Sequence, residues 1–231
     1  MTFAQGLLTT LLLMVFSAGA ASGGISLSQT RVIFSAEDKA QTITVKNSGA
    51  KNYLIQSRVQ TDLSNTRAAP FVVTPPLFQL APESHQLLRI LKQDPALPAD
   101  RESLFYLAVS AIPAQSEPAA QQARLSMGFQ FVIKLFYRPA GLKIAAENAS
   151  CQLKMTPTAQ GIRIENPTPY FLSFGTLAFD QRAVDLETQP AMIAPLSSET
   201  YPASQPVKQV HWQAINDFGG LSAPCQQVLP A

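Results

Sequence analysis

The chain has 231 residues, a formal net charge of +2 and only 14% charged residues, without Lys/Arg clusters, a balance that argues against a nucleic-acid partner. Its 18 prolines against 11 glycines favour strands and turns over long helices. Neither a Gly-rich phosphate loop nor a Cys/His cluster occurs, which argues against ATP-driven chemistry and a metal site, and no cofactor is expected.

Met1-Thr2-Phe3-Ala4-Gln5-Gly6 precedes an apolar run over 7–16 and then the small residues Ser17-Ala18-Gly19-Ala20-Ala21-Ser22. The run is too short to span a bilayer as a helix, and the small residues fit an A-x-A cleavage site. Residues 1–22 therefore read as a signal peptide, with a membrane anchor as the alternative. Its amino-terminal end carries no Lys or Arg. The rest of the chain is long enough for two domains of about one hundred residues each or for one large one.

Segments of period-two alternation occur at 41–46 (Thr42, Ile43, Thr44, Val45), 52–61, 71–80, 85–91 and 104–112. Each has strand length and none sustains a 3.6-residue period. Lys46-Asn47-Ser48-Gly49-Ala50-Lys51-Asn52 reads as a hairpin turn between two of them. About seven strands at this spacing suggest an immunoglobulin-like sandwich.

A short stretch, 113–122, then leads into the most informative segment. On a strand, Leu125, Met127, Phe129, Phe131 and Ile133 point one way, while Ser126, Gly128 and Gln130 point the other. From Val132 onward both faces are apolar except for Lys134, so this half is expected to be buried. Two readings of the apolar row remain open: an ordinary core strand, or an edge strand lent to another protein. Lys134, flanked by Ile133 and Leu135, must either snorkel to solvent or hold its ammonium against a fixed anion.

Arg138-Pro139-Ala140-Gly141 marks a break, giving an N-terminal domain over 23–138 and a C-terminal domain over 139–231. Strands are expected in the second at 161–165, 170–179 and 207–214. Two sandwiches on a short, proline-stiffened hinge make a bent molecule with a cleft. Cys151 and Cys225 are an even pair in an exported chain and favour a disulfide, against the alternative of two free buried thiols. His85 and His211 belong to no triad or metal-binding pattern, so no catalytic residue, enzyme activity or small-molecule substrate is expected.

Several local motifs occur together in one order. They are Thr30-Arg31-Val32-Ile33-Phe34, Thr74-Pro75-Pro76 with Leu87-Leu88-Arg89-Ile90, and Asp100-Arg101-Glu102-Ser103-Leu104-Phe105-Tyr106. Ile133-Lys134-Leu135-Phe136-Tyr137-Arg138-Pro139, Arg163-Ile164-Glu165-Asn166-Pro167-Thr168-Pro169-Tyr170 and Ile215-Asn216-Asp217-Phe218-Gly219-Gly220 come after them. In these the chain resembles the PapD-like periplasmic chaperones of the chaperone–usher pilus pathway, across nearly all of its length beyond residue 22.

The resemblance implies an all-β, L-shaped molecule of two immunoglobulin-like sandwiches in the periplasm. Its partners would be pilus subunits and an outer-membrane usher. Arg31 and Lys134 would grip a subunit's C-terminal carboxylate. Leu125, Met127, Phe129 and Phe131 would fill the groove of a subunit that lacks a strand, a form of β-augmentation. Glu102, Arg138 and Asp217 would form an ionic network fixing the angle between domains. The short 113–122 segment resembles the short-loop branch, although Phe129 and Phe131 are bulkier than the aliphatic residues common there. An exposed edge of this kind also raises self-association of the free protein. A secreted immunoglobulin-like fibre subunit is the competing reading, and a hydrolase lacks a catalytic constellation.

Overall fold

The computed structural model describes residues 24–63, 69–93, 96–114 and 127–230, so the apolar leader and Leu125 lie outside the described residues. The first half contains β1 (Ile25–Leu27), β2 (Arg31–Ser35), β3 (Gln41–Asn47), β4 (Tyr53–Gln60), β5 (Phe71–Thr74), β6 (Leu77–Leu80), β7 (Ser84–Lys92), β8 (Ser103–Pro113) and β9 (Phe129–Arg138). They form two sheets, ordered β1-β3-β7-β5 and β2-β9-β8-β4-β6. Alternate residues supply the core between them: Ile43 and Val45 from β3, Leu88 and Ile90 from β7, Leu107 from β8 and Leu135 from β9 are all buried. Burial of each such side chain contributes about 1.5–3 kcal/mol, so the period-two pattern is also the source of cohesion.

The chain changes sheets twice in ways that matter. The single strand expected over 71–80 is two strands. Pro75 and Pro76 have no N–H to continue a ladder, and β5 pairs with β7 while β6 crosses to β4. Ser57 closes the corner by donating its backbone N–H to the Pro76 carbonyl (2.8 Å) and its hydroxyl to that of Pro75 (3.0 Å). Earlier, β1 pairs antiparallel with β3, whereas β2 pairs parallel with β9 in the opposite sheet.

The second half contains β10 (Lys154–Thr158), β11 (Gly161–Asn166), β12 (Leu172–Phe179), β13 (Arg182–Ala183), β14 (Met192–Ile193), β15 (Ser197–Tyr201), β16 (Gln209–Ala214) and β17 (Cys225–Val228). One sheet runs β10-β11-β15; the other runs β13-β12-β16-β17 with β14 beside β12. Ile164, Phe174, Leu177, Tyr201, Val210 and Trp212 form a separate core. The Gln227 side chain joins the two sheets: its carbonyl accepts the Met155 N–H (3.0 Å) and its amide donates to the Met155 carbonyl (2.9 Å).

The halves share one device. Asn47, ending β3, donates to the carbonyls of Lys51, Leu80 and Ala81, and Asn166, ending β11, donates to those of Tyr170, Ile193 and Ala194. Both asparagines are fully buried, and each ties a turn four residues on to the end of a later strand. Between the halves β9 ends at Arg138, and Gly141 takes a φ of +77°, in the left-handed region that glycine adopts without steric cost.

Cys151 and Cys225 are disulfide-bonded, with Cα atoms 5.3 Å apart across 74 residues of sequence. Closing a loop of that size restricts the unfolded chain, and such bonds contribute about 2–4 kcal/mol. Replacing both cysteines by alanine should lower the stability of the second half by that amount in urea unfolding followed through Trp212. An unchanged midpoint in the variant, or in wild type under reductant, would go against this assignment.

Candidate functional site

The two faces of β9 serve different neighbours. Phe131, Ile133, Leu135 and Tyr137 pack against the first core. Lys134, Phe136 and Arg138, on the opposite face, reach the second half. The Lys134 ammonium donates to the Ser173 hydroxyl (3.1 Å), the Phe136 ring lies 5.7 Å from that of Phe171, and Arg138 meets Asp217.

Arg138 carries the densest of these contacts. Its Nε donates to Glu102 Oε1 (2.9 Å), and its two terminal nitrogens donate to Asp217 Oδ2 and Oδ1 (2.7 and 2.9 Å). The guanidinium also lies 5.1 Å from the centre of the Tyr170 ring. Glu102 itself crosses the junction: its Oε2 accepts the Phe171 N–H (2.9 Å), and its own N–H donates to the Pro169 carbonyl (2.8 Å). Burial opposes the Arg138 charge, but hydrogen bonds to Asp217 and the charge of Glu102 outweigh it and hold the guanidinium above its ordinary value. Burial pushes the Glu102 carboxyl up, against the pull of Arg138 and the Phe171 N–H. Glu102, Arg138 and Asp217 are thus brought together as one network.

Arg31 and Lys134 are register partners on β2 and β9. Arg31 Nη1 donates to the Ile215 carbonyl (3.1 Å), its guanidinium lies 5.8 Å from the Phe136 ring centre, and its buried Nε has no hydrogen-bond partner. Among the described residues, neither cation has a carboxylate within ion-pair distance. Burial, with the nearby Arg31 charge, pushes the Lys134 ammonium below the usual lysine value. Burial likewise lowers Arg31, against the attraction of Asp217 and Glu102. An anion placed between the two would relieve both. Arg31 lines a cleft of about 520 Å³ between the halves, together with Phe136, Arg138, Tyr170 and Phe218.

The strand edge opens at the same point. β9 pairs with β8 from Phe129 to Tyr137 but with β2 only from Lys134 to Arg138. Among the described residues, no strand pairs with its outer edge along 129–133. Met127 is 72% exposed and Phe129 is 41% exposed, its ring resting edge-on against Tyr53 and Phe131. Phe131 is half-buried against the first core. The double-sided burial expected from Val132 starts later, because Val132 is exposed and both faces are covered only at Leu135 and Phe136. The contacts of this face with the second half described above begin at Lys134.

Tyr170, Phe171 and Ile215 also line the cleft, Ser173 meets Lys134 outside it, and sequence reasoning does not single these four out as site residues. Tyr170 closes the Asn166–Tyr170 run of the second-half motif, and the spacing of Lys134, Phe136 and Arg138 already puts them on one face. Ser173 carries no sequence signal.

The family description "Pili and flagellar-assembly chaperone, PapD N-terminal domain" matches residues 24–143, and "Pili assembly chaperone PapD, C-terminal domain" matches 148–226. This chain belongs to the PapD family of pilus-assembly chaperones. It is 38% identical over 214 residues to a probable fimbrial chaperone, LpfB, of Escherichia coli, covering 90% of each chain. It is similar to a chain in the structure of Salmonella enterica SafA pilin in complex with the SafB chaperone (TM-score 0.80, 30% identity, covering 89% of this chain and 96% of that one). It is also similar to the periplasmic chaperone SfaE (TM-score 0.74, 31% identity, covering 90% and 100%). The PapD family is a chaperone family and not an enzyme family, and these likenesses do not favour a fibre subunit.

The network makes an unequal prediction for a PapD-like junction. Arg138→Ala leaves Glu102, whose side chain is 3% exposed, charged and unpaired, which should cost about 3–5 kcal/mol. Asp217 is 39% exposed, so Asp217→Asn should cost about 1 kcal/mol or less. Urea unfolding of the two variants measures the difference; equal losses would contradict it.

Proposed function

We propose that this chaperone is exported by removal of residues 1–22 and works in the periplasm, with domains over 23–138 and 139–231. There it takes up incompletely folded pilus subunits and delivers them to an outer-membrane usher. Arg31 and Lys134 bind the subunit's C-terminal carboxylate. The strand over 125–131 then adds to the subunit's open sheet, with Leu125, Met127 and Phe129 filling its groove and Phe131 extending the row. The network of Glu102, Arg138 and Asp217 fixes the two domains around the anchor.

One observation carries the reading: β2 begins, two cations without carboxylate partners stand, and the free edge of β9 ends, all at the Arg31–Lys134 register pair. A carboxylate held there fixes the first residue of any chain that continues along the open edge. Charge-assisted hydrogen bonds contribute about 1.5–3 kcal/mol each, and each apolar side chain newly buried in the groove about the same. Phe131 is already half-buried in its own core and gains less. Folding of the subunit on this template supplies the driving force, so no nucleotide is needed.

Arg31→Ala and Lys134→Ala should each leave the protein folded while its subunits are degraded in the cell, as read by subunit immunoblots beside circular dichroism of the purified chaperone. Intact subunit levels in both variants would refute the anchor.

The row gives a second, graded outcome. Met127→Glu should abolish complex formation in co-purification with little change in thermal midpoint, because Met127 contributes almost nothing to its own core. Phe131→Glu should lower the midpoint as well. A large fall for Met127→Glu would return the row to the core-strand reading.

A further inference from the structure

We propose that the cleft beside Arg31 selects the last side chain of the bound polypeptide, favouring apolar and aromatic termini, and that Phe218 is the specificity-determining wall of this pocket. The inference rests on the carboxylate anchor proposed above.

Phe218 is 97% exposed, the most exposed large apolar side chain among the described residues. Single exposed apolar residues are ordinary on a protein surface. A phenylalanine held out to this extent on a fixed loop is not, because it contributes almost nothing to its own fold. The loop is fixed in several ways. Asn216 Oδ1 accepts the N–H groups of Phe218 and Gly220 (both 3.0 Å), the Asn216 N–H donates to the Gly220 carbonyl (2.8 Å), and the Gly219 N–H donates to the Asn216 carbonyl (3.0 Å). Asp217 is gripped by both terminal nitrogens of Arg138. Gly219 has a φ of +86°, and a Cβ there would collide with the Thr30 side chain, so the loop is wedged against the residue before Arg31.

The position of Phe218 decides what it meets. It lines the same cleft as Arg31, Phe136 and Tyr170, and Arg31 is bound to the carbonyl of Ile215 at the start of this loop. A terminal carboxylate is bonded directly to the Cα that carries the last side chain. Fixing the carboxylate at Arg31 and Lys134 therefore fixes that side chain within a few ångströms of the anchor, beside the cavity of about 520 Å³ that Arg31 lines, in which the rings of Phe136, Tyr170, Phe171 and Phe218 stand among the charged groups of Glu102, Arg138, Glu147 and Asp217. An apolar terminus covers the Phe218 ring; a small polar one leaves it in water.

The test uses fluorescein-labelled peptides of alternating valine and threonine, identical except for the last residue: Phe, Leu, Ser, or Phe as its carboxamide. Anisotropy titrations are run with wild type, Phe218→Ala and Phe218→Leu, with thermal midpoints measured in parallel. Wild type should bind the Phe and Leu termini about tenfold more tightly than the Ser terminus. Phe218→Ala should erase that preference, leave the Ser-ended peptide unchanged and keep the midpoint, and Phe218→Leu should restore much of it. Equal affinity of wild type for all three free acids, or an equal loss for all of them in Phe218→Ala, would overturn the inference while the anchor stands. Carboxamide binding equal to that of the free acid would instead remove the anchor itself.

Discussion

Strand β9 pairs along nearly its whole length with β8 but meets β2 only from Lys134 onward, and the remaining geometry depends on that offset. Where β2 lies alongside, β9 is an interior strand with one face in the first core and the other against the second half. Where β2 is missing, β9 is an edge strand among the described residues. Two environments on one strand would not alone make a binding site, since edges occur on many sheets and proteins must manage them. What distinguishes this edge is that its boundary carries two cations on adjacent strands, held at one register level.

Keeping two like charges side by side in a partly buried cleft is unfavourable, and the structure balances that cost locally. Lys134 has the Ser173 hydroxyl and Arg31 the Ile215 carbonyl, both neutral acceptors from the second half. The carboxylates that might have neutralised the pair, Glu102 and Asp217, are instead committed to Arg138. Arg138 thus acts twice. It ties the halves together, and it holds two nearby carboxylates away from Arg31 and Lys134. Net energy from such a network is often small, since desolvation offsets attraction.

Much of this was legible in the amino-acid sequence, for definite reasons. Strict alternation in β3, β4 and β7 reports a sheet with one buried face, and the break after Arg138 falls where β9 ends. Lys134 stood out because a lysine between Ile133 and Leu135 needs an explanation. Other features were hidden because they depend on contacts far apart in the chain. Whether Val132 is buried depends on how far the second half extends over β9. The corner at Pro75 and Pro76 moves the chain between sheets, which alternation alone cannot reveal. Ser173 acts only by being opposite Lys134, and its own neighbours give no sign of it.

The Gln227 side chain, with its amide laid against the backbone of Met155, bears on where the second half could take up a further strand. β10 and β17 are two of the outer strands of the second half, which also include β13 and β15, and outer strands are where a further polypeptide could add. A side chain that imitates a peptide group satisfies Met155 near the start of β10 and joins β17 to it. Strand addition on the β10–β17 side of the second half is thereby discouraged, because a side chain already occupies the backbone groups a new strand would need.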